Sequence, residues 1–191
     1  MHFWVYLVLL GLIGGNSVLA WLHFAEPDHS PRHDLISLYA HSKFPKVYAW
    51  HNITFVIAGI GAAIGSHQYS PHEVWLPLLC LAYSAGIAIL ALFPMDISAK
   101  VKTLTGVLHV VGVVGVFFAA TVYSFSLSSF GSLAKTSHTK VLFDVVLAYL
   151  VGGIALLLIG QVRKFSSLGL IERIAAAGLS LWLISILLTF H

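Results

Sequence analysis

Six long runs of apolar residues, divided by short polar breaks, take up most of the chain. The first runs from Phe3 to Phe24, the second from Tyr48 to Gly65 and the third from Val74 to Phe93. The fourth spans Leu104 to Phe125, the fifth Val141 to Gln161 and the sixth Leu170 to Phe190. Each run is close to the roughly 20 residues that an α-helix needs to cross a hydrocarbon core of about 30 Å. The pattern predicts an all-α membrane bundle of six transmembrane helices filling residues 1–191 as one integral domain. The breaks carry the turn chemistry. Pro71 lies in the turn Ser66–Glu73, and Pro94-Met95-Asp96-Ile97-Ser98 reads as a stop followed by a helix start, with Asp96 or Ser98 as N-cap. The longest and most charged break is Glu26–Lys46, and a Ser-rich connection covers Ser126–Thr139.

Composition agrees with the pattern. Charged residues are 9% of the chain, against about 25% in a soluble domain. Mean hydropathy is +0.93. The net charge of +3 brings no basic cluster or aromatic platform, so nucleic acid is not an expected partner. Membrane lipids are, and a partner membrane subunit is compatible. Cys80 is the sole cysteine, which excludes an internal disulfide and a thiolate metal cage. The first run lacks a basic n-region and a clear cleavage site, and reads as a retained helix. Arg32, Lys43, Lys46, Lys100, Lys102, Arg163, Lys164 and Arg173 fall on one side of a six-helix threading, and only Lys135 and Lys140 on the other. By the positive-inside rule the protein is expected in the cell (inner) membrane with both termini outside. Trp4, Trp21, Trp50, Trp75 and Trp182 read as interfacial anchors. Glycines at 59, 61 and 65, and at 106, 112 and 115, read as places where helices approach closely.

The candidate chemistry gathers at one end of such a bundle. Asp34 and Ser37 lie in the first connection, His51 and Asn52 open the second run, and Asp96 closes the third. His109 stands roughly 8 Å into the fourth at 1.5 Å per residue, and Glu172 and Arg173 open the sixth. An ionisable group within a span is costly, and is a functional hypothesis by default. The plainer alternatives are specific too: a carbonyl partner for His109, a helix cap for Asp96, a turn for Asp34. The expected site is a polar pocket centred on Asp34, Asp96 and His109, with Ser37, His51 and Asn52 around them. The three central side chains are expected within about one water-bridged hydrogen-bond distance of each other.

The order of motifs resembles a known family. Arg32-His33-Asp34-Leu35-Ile36-Ser37-Leu38 follows the first helix. Leu92-Phe93-Pro94-Met95-Asp96 ends the third, and Gly106-Val107-Leu108-His109 lies in the fourth. This is similar to the bacterial and archaeal membrane family catalogued as domain of unknown function 998, over roughly residues 5 to 190. The loop before Asp34 departs from the Pro-Gly-Tyr often found there. A fainter likeness, on the Ile-Ser element, is to DRAM-type six-helix membrane proteins. The resemblance implies six helices and a shared polar end, and points to Asp34, Ser37, Asp96 and His109. It supplies no reaction and no cofactor.

Three functions follow as expectations. The first is binding of a lipid headgroup or small amphiphile in the polar pocket. The second is a metal-dependent lipid hydrolase with ligands among Asp34, His51, Asp96 and His109 (the core set being Asp34, Asp96 and His109) and Ser37 assisting. The third is a b-type haem cytochrome pairing His109 with His51 or His23.

Overall fold

The structure, a computed structural model, describes residues 2–96, 103–129, 137–163 and 166–190, the side chains of 137–139 and 160–163 excepted. Ser98 therefore lies outside the described residues. Six long helices follow in order: α1 (Phe3–Ala25), α2 (Pro45–Tyr69), α3 (Trp75–Leu92), α4 (Leu104–Ser129), α5 (Ser137–Arg163) and α6 (Leu168–Phe190). All six contain a stretch long and apolar enough to cross a membrane. The multi-pass membrane architecture expected from the apolar runs is thus the one observed.

Most helix limits extend beyond the apolar runs, α3 (Trp75–Leu92) being one residue shorter at each end, because backbone geometry, not hydropathy, ends a helix. Proline at the first helical position lacks only an N–H that would be unpaired anyway, so α2 starts at Pro45 rather than Tyr48. A six-residue 3-10 helix, Ile36–His41, sits inside the first connection and was not foreseen. Its sequence, ISLYAH, is too short to show a helical period. At the start of α4 the cap is Thr103, not Asp96. The Thr103 hydroxyl accepts the Gly106 N–H at 3.1 Å, the usual bond from an N-cap to the third helical residue. Asp96 instead holds the capping residue, accepting from the Thr103 hydroxyl at 2.6 Å and the Thr103 N–H at 3.1 Å.

Successive helices are neighbours around the bundle, and α6 closes it against α1, α2 and α4. Lipid offers no hydrophobic drive for helices to associate, so close packing and buried hydrogen bonds must hold them. Gly86 and Gly112 let α3 and α4 meet. A β-carbon on either would stand 3.0 Å from the other's carbonyl oxygen. Inside, the Ser66 and Tyr123 hydroxyls pair at 2.8 Å. Ser84, Ser124 and Ser126 return their hydroxyls to carbonyls four residues back, which satisfies them without water.

Two tryptophans correct the anchor assignment. Trp4 and Trp182 are 1% and 0% exposed, inside the bundle rather than at its rim. Trp182 packs between Tyr83 and Tyr123, with ring centroids 4.8 and 5.5 Å away. The Trp4 ring lies over Gly65, where any β-carbon would come within 2.7 Å of it. Trp21 and Trp50 do stand exposed on the outer surface. Proximity to a helix end does not reveal which face a residue occupies. Gly115 likewise has open space around it, unlike Gly106 and Gly112.

Candidate functional site

The ends of α1, α3 and α5 and the starts of α2, α4 and α6 share one end of the bundle, where the first connection folds over the start of α6. Leu170 donates its N–H to the Arg32 carbonyl at 3.1 Å, which satisfies one of the free donors of the first turn of α6. Arg173 donates from Nη1 to the Asp34 carbonyl at 2.7 Å and the Gly169 carbonyl at 2.9 Å. Its Nε donates to His23 Nε2 at 2.9 Å. His23 must therefore present a lone pair at Nε2, and its Nδ1–H is left to donate to the Tyr39 hydroxyl at 3.2 Å. Tyr39 is fully buried, stacked between His23 and His29 at 5.5 and 5.1 Å. That burial raises its phenol above the ordinary value, more than the nearby Arg173 lowers it. Glu172 accepts the Ile36 N–H, so one carboxylate fixes the start of the 3-10 helix. Glu26, 2% exposed, performs the matching task for the other strand of the connection, accepting the Lys43 N–H at 2.7 Å.

Below this folded connection lies a cavity of about 590 Å³ to which all six helices contribute. Polar side chains in its lining are Ser37, Tyr48, His51, Asn52, His109, Glu172 and Arg173, with Asn16, Ser180, Tyr83 and Thr121. α4 and α5 contribute a mainly apolar side: Val110, Val113, Val114, Phe117 and Phe118 from α4, and Ile154, Leu157 and Leu158 from α5. Val110, Val114 and Phe118 recur every four residues and so share one flank of α4. They are 42%, 61% and 64% exposed, and Leu158 opposite is 64% exposed, so the cavity reaches the outer surface between α4 and α5. These two helices touch at their other ends, where Tyr123 and Phe143 lie 6.3 Å apart and Ser128 donates to Asp144.

Four of the six expected site residues line this cavity: Ser37, His51, Asn52 and His109. His51 donates from Nδ1 to the Gly15 carbonyl at 2.8 Å, and His109 from Nδ1 to the Phe93 carbonyl at 2.9 Å. Asn52 donates to the Tyr48 carbonyl at 3.3 Å, and Ser37 donates weakly to the Met95 sulfur at 3.3 Å. The two carboxylates are absent from the lining. Asp34 closes a turn, its Oδ2 accepting the Ser30 N–H at 2.7 Å, and Asp96 braces the start of α4. Both carboxylates hold local backbone, Asp34 at a turn and Asp96 at the start of α4. Among the described residues no three His, Cys, Asp or Glu side chains are grouped to hold a metal ion. His23, the other imidazole considered beside His109, is engaged by Arg173 and Tyr39 and does not line the cavity.

Glu172 and Arg173, which belong to the candidate chemistry at the polar end but not to the expected site set, do line it. Their signal in the sequence is two adjacent residues of opposite charge at the start of an apolar run, which the membrane tolerates only when they face protein or a cavity.

Comparison with known proteins places this architecture. The family described as protein of unknown function DUF998 matches residues 9–189. The chain belongs to the DUF998 family. No curated protein matches it, and no solved structure does. Membership covers all six helices and the lining of the cavity, so for this DUF998 protein the cavity is part of the family domain and not an appendage to it.

Proposed function

We propose that the protein binds a single amphiphile, with its headgroup against the polar side chains and its chain along α4 and α5. The observation that carries this reading is one cavity lined by a group of polar side chains from the first connection, α2, α4 and α6 and by apolar side chains of α4 and α5, with exposed residues of α4 and α5 at its edge. Its volume falls within the roughly 300–1,000 Å³ of small-molecule sites. An amphiphile can pass from the bilayer at that edge without bringing its chain into water. The distribution of Lys and Arg supports an inner-membrane protein with both termini outside, which sets the polar end of the bundle near the cytoplasmic face.

Filling the cavity tests the proposal. Val113 points into it, whereas Val111 is 53% exposed and is not part of the lining. Purified Val113→Trp is expected to lose co-purifying lipid by native mass spectrometry, and Val111→Trp to retain it. Equal retention by both variants overturns the reading.

One observation favours a second reading, a b-type haem. His51 and His109 line the same cavity with Nδ1 bound to a carbonyl, the arrangement that orients metal-binding imidazoles. A Soret band in the purified protein supports it, and a colourless preparation removes it.

A further inference from the structure

Imidazoles hold the first connection against the bundle at several points. His33 donates from Nδ1 to the Ser166 carbonyl, and His41 from Nε2 to the Met95 carbonyl at 2.6 Å. His51 and His109 likewise donate to the carbonyls of Gly15 and Phe93. A charged imidazole donates from both nitrogens, so protonation leaves all of these bonds in place. His23 differs. Its partner at Nε2 is the Nε–H of Arg173, 2.9 Å away, and a guanidinium offers only donors and keeps its charge. His23 is therefore held neutral, with its proton on Nδ1 toward the Tyr39 hydroxyl at 3.2 Å.

A second proton on His23 would sit on Nε2, facing the Arg173 N–H, and set two cations against each other. The other titratable groups at this end are committed elsewhere. Tyr39 is a neutral phenol, and His29 stacks on its ring. Glu26 takes the Lys43 N–H, Asp34 the Ser30 N–H and Glu172 the Ile36 N–H, so each carboxylate is engaged with backbone rather than with His23. From α2 comes His51, another base, already bonded to Gly15. Parting the two cations takes a bond from the first connection whichever group moves. If Arg173 turns away, its Nη1 leaves the Asp34 carbonyl. If His23 turns away, it leaves Tyr39 of the 3-10 helix. Between Asp34 and Tyr39 lie Leu35, Ile36 and Ser37, which line the cavity.

We infer that protonation of His23 releases the first connection from α1 and α6, so that acid opens the polar end of the cavity to water. The closed arrangement holds one proton fewer than the released one, so the hold is strongest at high pH and is lost as pH falls. This latch works whatever the cavity binds.

The test follows amide exchange of the full-length protein in nanodiscs between about pH 8 and about pH 5, on either side of the ordinary imidazole value near 6.5. After correction for the intrinsic pH dependence of exchange, the amides of Ile36, Leu38 and Ser42 are expected to exchange about tenfold faster at the acid end, the scale of one lost bond to a charged group. In His23→Gln the amide oxygen can accept from Arg173 and the amide N–H can donate to Tyr39, but neither takes a proton, so the corrected rates are expected to be alike across the range. Nitrogen-15 spectra of histidine-labelled protein give the second readout. The resonances missing from His23→Gln are expected to report a neutral ring protonated at Nδ1 at the alkaline end, and to become those of an imidazolium with the same midpoint as the exchange. Parent rates that do not change with pH, an equal acceleration in His23→Gln, or a His23 ring that charges at a different midpoint overturns the latch.

Discussion

Replacing Gly169 with alanine tests how the polar end is held together. Gly169 lies in the first turn of α6 directly beneath the first connection, and a β-carbon there would overlap the backbone of Asp34, with its carbonyl carbon and nitrogen both at 2.8 Å. Backbone atoms cannot rotate aside as a side chain can. Either the strain remains, at about 1–3 kcal/mol for overpacking, or the connection lifts. Lifting loses the bond from Leu170 to the Arg32 carbonyl, about 0.5–1.5 kcal/mol, and that from Arg173 to the Asp34 carbonyl, about 1.5–3 kcal/mol. The molecule takes the cheaper of the two courses, so the cost is bounded by the strain, at about 1–3 kcal/mol. Thermal unfolding in detergent micelles, followed by tryptophan fluorescence, should show a fall of about 2–4 °C for each kcal/mol in a chain of this size. Amide exchange at Ile36 should also accelerate, because Glu172 holds that N–H from α6. Gly115→Ala is the control. A β-carbon there has nothing within 4 Å, and alanine is the better helix former, so stability should hold or rise. A Gly169→Ala protein as stable as the parent, with unchanged exchange at Ile36, refutes the packing argument.

Two further outcomes are expected. Because burial holds the Tyr39 phenol above its ordinary value near 10, the neutral ring's contribution is fully present below that value and is lost as pH rises through the raised one. The stability difference between the parent and Tyr39→Phe should thus shrink only on the alkaline side of 10, and a phenolate appearing at or below 10 in the difference spectrum would contradict it. For orientation, the single native Cys80 is buried, so it leaves a clean background for labelling. In intact cells an impermeant maleimide should label His72→Cys and spare Lys43→Cys, both positions being exposed. The reverse pattern inverts the proposed topology.

What the chain settles alone is its number of crossings and the end at which its polar residues meet. Both follow from hydrocarbon thickness and antiparallel threading, which need only segment lengths and order. His109 and His51 could be singled out the same way, since a polar side chain within an apolar run is conspicuous without any partner in view. Residue spacing could not assign their partners. Asp34 and Asp96 looked like the centre of a site, and the bonds they make hold a turn and a helix start, because a short carboxylate next to free backbone N–H groups binds them first. Trp4 and Trp182 looked like anchors, yet lie inside, because which face of an apolar helix meets protein is fixed by its neighbours when both faces are equally hydrophobic. The cavity belongs to the tertiary structure entirely. All six helices and the first connection line it, and no local pattern in any one of them encodes how they are set against each other.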